Sequence, residues 1–345
     1  MSKSNFFTNA AQGKTYFSNA DVVTCKQMFN CRRVLFCIDN ELKSVQRVAA
    51  IQMLAVIANQ IIKITKRCQN MRNFKKYILE YLLLVIVIVL CVPGFWNIYF
   101  GVDASPTLYQ NLHVATSLIW LSLLLYQLIL IGKKQNASHR KIGLSILFFG
   151  PLLFATTALL SVHSAHKGVV SGEGDFLLVQ NVMGTLELGL IILLAFIFKK
   201  RRKVHGAFLL STAILFLGIA LFFTLINAVP QFKIEGPETF YRFGTAAATA
   251  RYVCLGIGLL FFLKDRANGW PILLVSSFFT LNEYINQLLA KHDLIQPLTE
   301  AVGSINQLIT FFGSFVVLLI LLALTGVTYK RKVDNLQRFD VISRT

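Results

Sequence analysis

Five of the six histidines fall between residues 113 and 205: His113, His139, His163, His166 and His205, with His292 apart. Neutral imidazole is a common ligand for haem iron, copper and zinc, so the placing of these rings is the first clue to chemistry. His163 and His166 stand three apart, the spacing that sets two side chains on one helix face. With His113 they form a candidate site for a metal ion, copper or zinc. His139 is followed by Arg140 and Lys141, and His205 is preceded by Arg201, Arg202 and Lys203. Cations in such positions pair with carboxylates, the propionates of a haem among them. A plainer alternative stays open for each: His163 and His166 as solvated ends of a helix, His139 and His205 as members of basic loops that bind nothing.

Three further ionisable residues sit inside apolar sequence. Glu187 lies in the middle of a long apolar run, where a charged carboxylate costs several kcal/mol unless it is protonated, paired or facing a cavity. Arg251 and Glu283 fall at matching depths of two later runs, an arrangement suited to an ion pair between helices. Asn282, Asn286 and Gln287 surround Glu283 and make a polar half-segment that also suits a proton or solute path, extended by Asn306 and Gln307. There is no phosphate-binding glycine loop, no Gly-x-Ser-x-Gly and no His-Glu-x-x-His. Cys25, Cys31 and Cys37 are evenly spaced but fit no zinc-ligand pattern, and Cys91 and Cys254 lie in apolar runs.

The elements that carry these residues follow from composition. Of 345 residues 55% are hydrophobic and 14% charged, whereas a soluble domain carries about a quarter charged; the mean hydropathy is +0.61. Apolar residues come in blocks near the roughly 20 needed to cross a bilayer, at about 77–96, 108–131, 142–162, 176–198, 207–228, 243–263, 271–290 and 305–328. The fold expected is all-α, a polytopic membrane bundle of about eight transmembrane helices. The Gly150-Pro151 pair predicts a kink in the third block. Gly244, Gly256 and Gly258, with Ala246, Ala247, Ala248 and Ala250, predict close packing of the sixth.

A net charge of +18 would point to nucleic acid in a soluble chain. Here its distribution points elsewhere. Alternate loops hold Arg72, Lys75 and Lys76; Lys133, Lys134, Arg140 and Lys141; Lys199, Lys200, Arg201, Arg202 and Lys203; Lys264 and Arg266; and the tail from Lys330. The intervening loops hold only Lys167, Lys233, Arg242 and Lys291, along with Asp103, Glu173, Asp175, Glu235, Glu238, Asp293 and Glu300. The positive-inside rule then places both ends of the bundle in the cytoplasm and requires an even number of crossings. The partner expected is the lipid bilayer, with no nucleic acid.

Residues 1–70 stand outside this pattern as a basic extension. Segment 41–67 reads as a helix with a basic end that could lie along the inner leaflet; a competing expectation is that Met71 begins the protein, since the basic run after it opens a natural signal-anchor. The bundle is then 71–328 and the basic cytoplasmic tail 329–345. A weak echo links Gln110-Asn111 with His139 to Gln180-Asn181 with His205, as though helix hairpins were duplicated.

His113, the run His139-Arg140-Lys141-Ile142-Gly143 and His205 resemble an uncharacterised bacterial family of multi-span membrane proteins with a His…His-Arg-x-x-Gly…His pattern. The resemblance covers about 77–223 and extends distantly to the ascorbate-reducible di-haem transmembrane cytochromes b. It implies a bacterial cytoplasmic (inner) membrane location, and haem b held by His139 and His205 at the inner side. An outer haem at His113 needs His163 or His166 as its second ligand, because the fourth block offers Gln180 and Asn181 in place of histidine. Implied with it is electron transport from a quinol or a periplasmic redox partner. Two other functions compete: a transporter or permease using Glu187, Arg251 and Glu283, and an accessory membrane protein without cofactor.

Overall fold

A computed structural model describes residues 75–101, 104–172, 174–175 and 177–342, with side chains up to residue 325. The extension 1–70 with its segment 41–67 lies outside the described residues. Every described element is helical. In order these are α1 (Ile78–Gly94), α2 (Trp96–Tyr99), α3 (Leu108–Gly132), α4 (Asn136–Gly143), α5 (Ile146–Ser171), α6 (Leu178–Ile197), α7 (Arg202–Ala228), α8 (Tyr241–Lys264), α9 (Trp270–Lys291), α10 (Ile295–Gly303) and α11 (Gln307–Ile342), with a short 3-10 turn at Pro237–Thr239. A chain this apolar favours helices because each satisfies its own backbone polar groups away from water.

Six of these helices are long and apolar enough to cross a membrane: α3, α5, α6, α7, α8 with its preceding turn, and the stretch Gln307–Thr325 of α11. Two expected crossings differ for separate reasons. Helix α1 has 17 residues, about 26 Å at 1.5 Å per residue, short of a hydrocarbon core of roughly 30 Å. Helix α9 has 22 residues, but Ser276, Ser277, Asn282, Glu283, Asn286 and Gln287 dilute its apolar character.

Helices α5 and α7 organise the bundle. Helix α7 packs against α1, α6, α8 and α9, while α5 packs against α3, α6, α10 and α11. Between helices in lipid the hydrophobic effect gives little, so close packing and hydrogen bonds must hold them together. Trp120 of α3 is fully buried and its indole N–H donates to Thr212 Oγ1 of α7 at 2.9 Å. Thr116 and Thr156 share a hydrogen bond of 2.8 Å between α3 and α5, and Ser161 and Thr185 one of 3.0 Å between α5 and α6. Asn227 Nδ2 donates to the Gly94 carbonyl at 2.8 Å, tying α7 to α1. Phe208 lies between Phe198, stacked at 5.7 Å, and Trp270, edge-on at 5.3 Å.

The expected close packing of α8 holds at Gly258, Ala246 and Ala250, whereas Gly244 and Gly256 face open space. A Cβ at 258 would lie 2.7 Å from Ser276 Cβ and 3.2 Å from Leu273 Cα of α9, so Gly258→Ala has to push the two helices apart. The expected destabilisation is about 1–3 kcal/mol, read as a lowered unfolding midpoint in detergent; Gly256→Ala serves as the control with no such loss. Pro151 lies little more than one turn into α5, which runs unbroken through it. A separate break falls at Leu144 and Ser145, between α4 and α5.

Candidate functional site

His139, ahead of the third long helix, sits on α4, a separate short helix. What places it there is the end of α3. Lys134 N–H donates to the Ile131 carbonyl at 3.0 Å and Gln135 N–H to the Leu130 carbonyl at 2.9 Å, with Lys134 at φ 58°. This paired closure reverses the chain through a left-handed residue and returns α4 against α3. Arg140 and Lys141 then point to solvent while the imidazole is half-buried.

Beneath it is Gln127 of α3, 5% exposed. With its amide oriented to satisfy its neighbours, its nitrogen donates to the His139 carbonyl at 3.2 Å and to His139 Nδ1, and its Oε1 accepts from Gly143 N–H at 3.0 Å. One glutamine therefore collects the polar groups at both ends of the His-Arg-Lys-Ile-Gly run. The sequence reading passed over Gln127. The signal was available, since a carboxamide inside an apolar block needs partners.

His205 lies in the first turn of α7. Its Nδ1 meets the Ala195 carbonyl at 2.7 Å, one of the terminal carbonyls of α6 left over at a helix end. A carbonyl only accepts, so the proton is on Nδ1 and the lone pair is on Nε2. The edge of the Phe196 ring stands 6.0 Å from the imidazole. The basic residues around this end are partly engaged: Lys203 pairs with Asp265 at 3.1 Å, and Lys264 with Glu80 at 2.8 Å.

His139 and His205 are near enough to interact electrostatically. Burial first, and the charge of His205 second, hold the His139 imidazole below the ordinary histidine range. The folded protein thus resists a proton that the unfolded chain accepts at the model-peptide value of 6.5. Above that value both states are neutral at this residue and it contributes nothing; below it, stability falls until the folded imidazole also takes the proton. Unfolding midpoints in detergent from about pH 8 to about pH 5 are expected to drop on the acid side, and His139→Gln to flatten that drop.

At the opposite end of the bundle the structure separates the three remaining candidates. The His163 ring lies 4.5 Å from Tyr109 of α3. His166 Nδ1 donates to the Gly303 carbonyl of α10 at 3.2 Å, beside a cleft lined by Ser304 and Asn306. His113 Nε2 is 3.4 Å from Ser117 Oγ on its own helix. Nδ1 of His113 and Nδ1 of His163 are buried without a hydrogen-bond partner among the described residues. No group of three or more histidine, cysteine, aspartate or glutamate side chains suited to a metal ion occurs among the described residues. The two Gln-Asn pairs also differ: Gln110 closes a capping box with Thr107 at the start of α3, while Gln180 falls in the first turn of α6, whose N-cap carries no side-chain hydrogen bond.

Arg251 and Glu283 meet as an ion pair of 3.5 Å between α8 and α9, and Glu283 also accepts from Gln287 Nε2 at 2.8 Å. Glu187 is not part of it. Its carboxyl is buried on α6 beside Asn282 of α9.

Compared with family models, curated proteins and solved structures, the chain matches none.

Proposed function

We propose that this integral membrane protein is a haem-b-binding transmembrane electron carrier, with His205 and His139 as the ligands, eight crossings and both ends of the bundle in the cytoplasm. The observation that carries the reading is the posture of His205. A ligating histidine characteristically donates its second ring N–H to a carbonyl, which fixes the tautomer and raises the basicity of the ligating nitrogen; His205 does this through Ala195 and leaves its Nε2 lone pair unengaged among the described residues. His139 reaches the same posture only if its proton moves to Nδ1 and the Gln127 amide turns over, which gives up the bonds to the His139 carbonyl and from Gly143 N–H. The donor set therefore fits the group at His205 as it stands, and at His139 at the cost of those two bonds.

Haem supplies reversible one-electron chemistry, its potential set by the axial ligands and their surroundings. The chain's own part is to fix two imidazoles, limit water through Phe196, and offer Arg140, Lys141 and Arg202 to carboxylates at the membrane surface. The eight-span topology rests on the alternation of lysine and arginine between loops, with α1 and α9 as the two crossings whose length or polarity is marginal. The location proposed is a bacterial cytoplasmic membrane, and the electron source a quinol or a periplasmic donor. The test is the reduced-minus-oxidised visible spectrum of the full chain purified in detergent after expression with ample haem. A sharp b-type α band is expected; a flat spectrum from folded protein refutes the reading.

A further inference from the structure

Glu187 and Asn282 are 5% and 1% exposed, and neither carboxyl oxygen of the one nor the Oδ1 or Nδ2 of the other makes a hydrogen bond among the described residues. They lie side by side where α6 meets α9. Four unpartnered polar atoms at one buried helix contact call for an explanation, and the charges nearby limit what it is. The helices packed on α6 are α5, α7, α9 and α11. Helix α5 carries His163, His166 and Lys167 near its far end, and α7 carries Arg202, Lys203 and His205 in its first turn. Through Thr325, α11 carries no charged side chain. On α9, Lys291 is terminal, Tyr284 is exposed, and Glu283 is turned to Arg251. Glu187 is the only ionisable residue of α6 itself.

No cation therefore faces this carboxyl from the described residues, and an anion there could take a hydrogen bond from Asn282 Nδ2 but would leave Oδ1 without a donor. A neutral carboxylic acid is complementary to a carboxamide: its O–H donates to Oδ1 while Nδ2–H donates to its carbonyl oxygen. All four atoms are satisfied at once, and only when the acid holds its proton. Asn286, one turn further along α9 on the same face and half-buried, continues a polar track toward the end where His163 and His166 lie.

We propose that Glu187 and Asn282 form a proton-binding site inside the bundle, in which the carboxyl takes up one proton from water and pairs with the carboxamide. The site shares no residue with the His139–His205 pair and stands whether or not haem binds. The proton goes onto a carboxyl oxygen; no other bond is made or broken.

The test is infrared difference spectroscopy on the full chain in detergent. A protonated-carboxyl stretch is expected at neutral pH, where exposed acids are ionised. Glu187→Gln abolishes that band, and Asn282→Leu keeps it but shifts its frequency through loss of the hydrogen bond. Persistence of an unchanged band in Glu187→Gln overturns the proposal. So does loss of the wild-type band when sodium replaces choline at fixed pH, which assigns a cation site instead. If Glu187→Gln fails to fold, Asn282→Leu decides alone, an unshifted band being the overturning result.

Discussion

His205→Ala abolishes the reduced-minus-oxidised α band of the haem-supplied protein, and His139→Ala does the same, while His113→Ala leaves that band in place. The large loss is expected because, in the proposed reading, His205 and His139 would together hold the haem. Gln127 allows a finer measurement. Its partner role predicts that Gln127→Leu lowers haem occupancy by about 10–100-fold, the usual loss when the group orienting a ligand is removed. Gln127→Glu places a carboxylate against His139 Nδ1, favours the Nδ1–H tautomer and makes Nε2 more basic, so the midpoint potential falls while the band remains. A purely structural Gln127 would move stability in both variants and the potential in neither. Survival of the band in both histidine variants would sink the ligand assignment.

The second large effect is at Trp120, which is fully buried and joins α3 to α7 through Thr212. Trp120→Ala leaves a large cavity, and the expected cost is about 3–5 kcal/mol. Trp120→Phe keeps most of the volume and removes the indole N–H. Thr212 Oγ1 also donates to the Leu209 carbonyl at 2.7 Å, so its proton keeps a partner and the loss in that variant is about 0.6 kcal/mol, typical of an interhelical hydrogen bond in lipid. Equilibrium unfolding in mixed micelles separates the two. Equal losses would mean that the hydrogen bond, rather than the volume, holds these helices.

Helical class was legible in the sequence because apolar blocks of bilayer length leave the backbone no other way to satisfy itself. The Arg251–Glu283 pair was legible for a similar reason: opposite charges at one depth of neighbouring apolar helices have few alternatives to meeting. What escaped was local. The turn that separates α4 from α3 depends on the left-handed Lys134, a residue type that gives no warning of such a turn. Gln127 was hidden because its partners, the His139 carbonyl and Gly143 N–H, are backbone groups that a side-chain pattern does not display. His163 and His166 share a helix face as their spacing implies, yet one meets α3 and the other α10. Spacing along one helix does not fix which neighbour stands opposite each side chain. The polar second half of α9 was legible as such, but not that Asn282 and Glu283 within it take different partners.

The broad contact between α5 and α11 has a consequence for how the protein is made. Synthesis at about 5–20 residues per second leaves on the order of ten seconds between completion of α5 and arrival of α11. For that interval one face of α5 has only lipid or assistance factors beside it, and α10, through its Gly303 contact with Ala165 and His166, reaches α5 just ahead of α11. The last helix to emerge thus closes over one of the first, and chains arrested before residue 307 present an uncovered α5 to the quality-control proteases of the membrane.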